Sequence, residues 1–138
     1  MDLYADNILD HYKHPRNTGG ISRAISHREE NISCGDDLTI DLVIEDGVIV
    51  DLEWRGEGCA ISQAAMSLLS EDIIGMTVPD AEALKPDEVY SLLGVPVGPR
   101  RFKCALLCLH TLMNTLRAAR AQPPQSWLET VSLDTPTL

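Results

Sequence analysis

The chain has 138 residues, 44% of them hydrophobic, four cysteines and a formal net charge of −10. Its length and apolar content predict one globular domain with a real core, and its negative balance argues against unassisted binding to nucleic acid or to an anionic membrane surface. No apolar run approaches the ~20 residues of a membrane span, and Met1-Asp2-Leu3-Tyr4 lacks the start of a secretory signal, so a cytoplasmic chain is expected, its cysteines serving as thiols or metal ligands.

Residues 2–14 read as a helix. Tyr4, Ile8 and Tyr12 recur at i, i+4 and i+8, and Leu3 and Leu9 widen the stripe. Pro15 stops it and Arg16-Asn17-Thr18-Gly19-Gly20 is loop chemistry. His11 and His14 read as ordinary polar residues near the helix end, where positive charge is tolerated. Ile21 to Ile32 is weakly patterned and suits a short edge strand guarded by Arg28-Glu29-Glu30.

The clearest signal follows. Leu38, Ile40, Leu42 and Ile44 alternate with more polar neighbours, Asp46-Gly47 supplies a type I′ turn, and Val48, Val50, Leu52 and Trp54 resume the alternation. This is a hairpin with one buried face. Its open end carries Cys34-Gly35-Asp36 before the first strand and Gly56-Glu57-Gly58-Cys59 after the second, so Cys34, Asp36 and Cys59 are expected to converge there.

From Cys59 a helix is expected to about Ile74, with Ile61, Ala64, Ala65, Leu68, Leu69 and Ile73 on one stripe and Gly75 as its stop. Two short helical pieces follow, 79–84 and 86–93, each with a proline near its start. Residues 94–99 form a loop, and a long helix spans roughly Arg101 to Arg120 before Gln122-Pro123-Pro124 breaks it. The expected fold is α+β, an α/β sandwich: a small antiparallel three-stranded sheet with helices packed on one face. Residues 1–121 make the domain, and 122–138 read as a mobile tail.

One cysteine at a helix start would read as a small buried hydrophobe. Three in loop or helix-start contexts point to a site, because a thiolate is favoured at a helix N-terminus and serves as metal ligand and nucleophile. Cys34, Asp36, Cys59 and Cys104 form a set of three sulfurs and one carboxylate. Tetrahedral zinc accepts that mixture, and the exchangeable carboxylate suggests a site that can open. Soft thiolates suit iron–sulfur chemistry as well.

Asn31-Ile32-Ser33-Cys34-Gly35-Asp36, Gly56-Glu57-Gly58-Cys59-Ala60-Ile61-Ser62 and Pro99-Arg100-Arg101-Phe102-Lys103-Cys104-Ala105-Leu106-Leu107 resemble, in order, the three cysteine motifs of the IscU/SufU family of iron–sulfur cluster assembly proteins, also called NifU-like N-terminal domains. His11-Tyr12-Lys13-His14-Pro15-Arg16-Asn17 is similar to that family's opening segment, and the resemblance covers roughly Leu3 to Arg117. Lys103 before the third cysteine, and Ala-Ile-Ser-Gln after Gly-Glu-Gly-Cys, resemble the SufU branch. The short Cys59–Cys104 segment is closer to IscU, and Cys108 and Leu109 depart from SufU, which more often has a small residue and a tryptophan there.

The resemblance implies a SufE/NifU-like fold and a zinc-binding sulfur acceptor. Its partner would be a pyridoxal-phosphate cysteine desulfurase of the SufS type, and downstream assembly or acceptor proteins would follow. Zinc would be held by Cys34, Asp36, Cys59 and Cys104. Cys34 would be freed when a desulfurase histidine takes its place, and would then accept persulfide sulfur. The alternative is a scaffold building a [2Fe–2S] cluster on the same ligands, with Cys104 accepting sulfur. Arg101 and Lys103 are candidates for docking or for supporting the ligands. Cys108, four residues after Cys104, is either a spare thiol one turn along the helix or a buried core residue. A zinc-stabilised interaction module and a cysteine hydrolase rank lower, the latter because no histidine lies in a motif suited to activating Cys59.

Overall fold

In the computed structural model, which describes residues 3–132, the element order is α1 (Leu3–Lys13), β1 (Ile25–Asn31), β2 (Asp36–Glu45), β3 (Val48–Glu57), α2 (Ala60–Ile73), α3 (Val78–Glu82), α4 (Pro86–Leu93), α5 (Phe102–Ala119) and α6 (Trp127–Ser132). The strands form one antiparallel sheet in the order β1-β2-β3. α5 lies against β1 and β2 and α2 against β3, so the core sits between sheet and helices. This is the expected α+β arrangement. Among the described residues no helix is long and apolar enough to cross a membrane.

The hairpin turn carries Asp46 at φ 52° and Gly47 at φ 76°, both left-handed as a type I′ turn requires. Beyond it the strict alternation fails. Val43 faces Asp51 while Ile44 faces Ile49, so Val50 is an extra residue bulged out of β3. Ile49 is therefore fully buried and Val50 is 41% exposed, reversing the expected inward set at the strand's start. Segment 75–78 helps to hold this end: Ile49 N–H donates to Met76 O at 2.9 Å and Gly75 N–H to Ile49 O at 2.7 Å. At the sheet's outer edge, Trp54 N–H donates to Asn17 O and Gly19 N–H to Trp54 O, both at 2.9 Å, which covers part of β3's open side.

The inner face of α1 also differs from its predicted stripe. Ile8 is buried, but Leu9 and Tyr12 are exposed, and the buried partner of Ile8 is His11 at i+3. The side chains of Leu3 and Tyr4, assigned to the same stripe, lie outside the described set. His11 Nδ1 lies 2.7 Å from Ser67 Oγ on α2, and that hydroxyl also accepts Arg16 N–H at 2.9 Å. His11 is thus part of the α1–α2 contact, while His14 is exposed.

Where a mobile tail is expected from residue 122, the described part carries α6, and residues 133–138 lie outside the description. Trp127 stacks on His110 of α5 with ring centroids 4.2 Å apart. His110 Nδ1 lies 2.6 Å from Thr130 Oγ1, and its Nε2 is 3.4 Å from Glu29 of β1. Asn114 Nδ2 donates to Glu29 at 3.0 Å, and Asn114 Oδ1 accepts Gln125 N–H at 2.7 Å. α5 is consequently buried on nearly every side from Cys104 to Leu116.

Burial is the main cause holding both His11 and His110 below the ordinary imidazole range. A folded-state pKa below the unfolded value means the unfolded chain binds protons more readily. Their contribution to stability is complete above about pH 6.5 and is lost as pH falls below it. Urea midpoints are expected to drop from pH 7.5 to 5.5; a flat or rising midpoint would contradict these histidine placements.

Candidate metal centre

The site is built where strand ends meet helix starts. Asn31 pairs with Asp36 and Leu38 with Gly56, so the end of β1, the start of β2 and the end of β3 lie together. The β1–β2 connection is a short loop closed on Asn31, whose carbonyl accepts Cys34 N–H at 3.2 Å and Gly35 N–H at 2.9 Å. It leaves Cys34 exposed at the rim. Asp36, the first residue of β2, is 1% exposed, and its Oδ1 accepts the backbone N–H of Cys59 at 3.0 Å. That bond satisfies a free donor at the start of α2, where Cys59 is the N-cap residue. A Cβ at Gly58 would overlap Asp36 Oδ1 and Ser62 Oγ, so glycine lets the link from β3 to α2 pass this close. Cys104 enters from the first turn of α5 and is 2% exposed.

The sulfurs of Cys34 and Cys104 are 3.4 Å apart, and the ligand atoms of Cys34, Asp36 and Cys104 all lie within 4.8 Å of one another. Cys59 is not part of that closest group; it adjoins it through its N–H on Asp36. Asp36 Oδ2 is buried without a hydrogen-bond partner. Burial, the bond to Cys34, and the nearby charge of Asp36 and Cys59 push the Cys104 thiol well above its usual range. An unpartnered buried carboxylate oxygen beside crowded sulfurs is what a divalent cation would satisfy. Tetrahedral zinc with Zn–S near ~2.3 Å spans sulfurs about 3.8 Å apart, and the Cys34, Asp36 and Cys104 donors fit three of its four positions with little movement.

The remaining sequence candidates separate. Arg101 is exposed at the N-cap of α5 and lines a cavity of about 310 Å³ with Ile61, Pro96, Val97 and Gly98. Lys103 turns toward α6, its ammonium 5.8 Å from the Trp127 ring centroid. Cys108 is fully buried, its thiol donates to Ala105 O at 3.4 Å, and burial raises its pKa to about 12. Cys108→Ala should therefore leave metal content and thiol reactivity near wild type and cost about 1 kcal/mol in chemical denaturation. A large loss of either activity in the folded variant would show a second working thiol on this helix.

One residue near the sulfurs had no role in the sequence reading. Asn31 is 3% exposed, and its side-chain amide donates to Cys104 Sγ at 3.8 Å. It stands in the first cysteine motif, but its partner is 73 residues away. The only sequence signal was a polar residue at the end of a strand leading into the cysteine loop.

Comparison with known proteins supplies the wider setting. The family model of the NifU-like N-terminal domain matches residues 3–123. The chain is 30% identical over 122 residues to the zinc-dependent sulfurtransferase SufU of Bacillus subtilis, covering 76% of this chain and 83% of that protein. It is 34% identical over 132 residues to the iron–sulfur cluster assembly scaffold protein IscU of Thermotoga maritima, covering 83% and 93%. A crystal structure from Fervidobacterium islandicum, described as a candidate cluster assembly scaffold for the SUF system, superposes with a TM-score of 0.72 at 28% identity, over 84% of this chain and 96% of that one.

Proposed function

This chain belongs to the NifU-like N-terminal domain family, and from that membership we propose that it is an iron–sulfur cluster assembly protein, a zinc-dependent acceptor of persulfide sulfur serving a SufS-type cysteine desulfurase. The observation that carries the reading is the exposed Cys34 sulfur 3.4 Å from buried Cys104, beside the unpartnered Oδ2 of Asp36. The relative named a zinc-dependent sulfurtransferase supports it.

Cys34, Asp36 and Cys104, with Cys59 adjoining, would hold the zinc. When bound, that ion supplies positive charge that keeps thiolates deprotonated yet shielded. The protein's residues do the rest. Cys34, on an exposed loop, is the thiol a docked partner can reach, whereas Cys104 is enclosed. The Cys34 thiolate attacks the terminal sulfur of the donor's cysteine persulfide. A new S–S bond forms to Cys34, the donor's S–S bond breaks, and the donor cysteine leaves as a thiolate while the terminal sulfur keeps its proton. Asp36 fixes the start of α2, and exposed Arg101 offers a cation at the mouth of the adjoining cavity for docking.

The test is incubation with the desulfurase and cysteine, followed by mass spectrometry and metal analysis. One added sulfur on Cys34, zinc in the purified protein and faster desulfurase turnover are expected. Sulfur on Cys104 alone, with an oxygen-sensitive brown protein, would instead favour a scaffold whose cargo is a [2Fe–2S] cluster passed to apo-proteins.

A further inference from the structure

The two closest sulfurs of the site have unlike surroundings, and one residue makes them so. Asn31 ends β1, is 3% exposed, and touches three parts of the centre at once. Its carbonyl closes the loop that carries Cys34. It pairs across the strands with Asp36. Its side-chain amide donates to the sulfur of Cys104. Cys104 is also enclosed by α5 and the core, whereas Cys34 is exposed.

An N–H donor on a thiolate draws electron density from the sulfur, stabilising the anion and lowering its nucleophilicity. A sulfur with such a donor is held as an unreactive thiolate, and a sulfur without one is the better nucleophile. At Cys104 enclosure restricts a partner's access to the sulfur, and the Asn31 donor offsets part of the cost that burial places on its thiolate.

We infer that Asn31 is a positioning residue that divides the labour of the two thiols, retaining Cys104 as the fixed ligand and leaving Cys34 as the sulfur that exchanges and reacts. The inference rests on the sulfur-acceptor reading and adds the residue that decides which cysteine accepts.

The test uses the full chain loaded with cobalt(II), whose sulfur-to-metal charge-transfer bands report electron density on the ligating thiolates. Asn31→Leu matches the side chain in size but lacks the donor; its bands should move to lower energy and its metal affinity fall by about 10–100-fold, the usual cost of losing an outer-shell partner. Asn31→Asp, which keeps the side-chain shape without the amide donor, should shift the bands in the same direction and serves if the leucine variant does not fold. After desulfurase treatment, the ratio of sulfur on Cys34 to sulfur on Cys104 should fall about tenfold in Asn31→Leu, the equivalent of one charge-assisted hydrogen bond. A purely structural role would lower stability and leave the bands in place. Unmoved bands in both folded variants would overturn the inference. A wild-type protein that takes up no sulfur while the bands still shift would overturn the acceptor reading, and the division of labour with it, but leave the Asn31 hydrogen bond standing.

Discussion

Asp36→Ala is expected to lose zinc affinity by more than the ~10–100-fold that outer-shell changes cost, because it removes the one anionic oxygen of the set. It should also weaken the metal-free fold by about 1 kcal/mol, since the N–H of Cys59 loses its acceptor. Asp36→Asn separates these effects. Its amide oxygen can still receive the Cys59 N–H, so stability in chelator should stay near wild type, while the charge that attracts the cation is gone. Competition with a chromophoric chelator measures the first quantity and thermal melting in chelator the second. Wild-type zinc affinity in both variants would remove Asp36 from the centre.

Gly56→Ala should be the most damaging single-methyl change in the hairpin. A Cβ there would overlap the carbonyl oxygen of Asp37 and stand 3.0 Å from Leu38 Cα, and both obstacles are backbone that cannot swing aside. β2 and β3 would have to part at the end that positions Asp36 and Cys59. The expected cost is about 2–3 kcal/mol, a fall in melting temperature on the order of 10 °C, with metal retention falling in parallel. A Gly56→Ala protein that melts like wild type would mean that the strands do not pass this closely.

Much of this arrangement was legible in local sequence. The alternation from Leu38 to Ile44, the Asp46-Gly47 turn and the cysteines flanking the hairpin all express themselves within a few residues, so the meeting of Asp36 with Cys59 follows from strand pairing alone. What escaped depends on distant partners. The Val50 bulge reverses which valine or isoleucine points inward, and its surroundings include segment 75–78, which no pattern in 48–54 announces. His11 is buried because Ser67 waits 56 residues later. Helix α6 is too short for periodicity to reveal; its support is the polar face that α5 presents through His110 and Asn114. Asn31 was visible as a letter in a motif and invisible as a contact for the same reason.

The late position of Cys104 in the chain has a consequence for synthesis. Cys34, Asp36 and Cys59 belong to a compact hairpin and the helix start after it, whereas Cys104 sits on α5, which also fills the centre of the core. At about 5–20 residues per second, the stretch from Cys59 to Cys104 takes roughly 2–9 s to translate. For that interval the nascent chain carries two thiols with neither the enclosing helix nor the third sulfur. The three sulfurs and Asp36 can therefore meet only once α5 has joined the core, and the two early thiols are most open to oxidation just before that helix emerges.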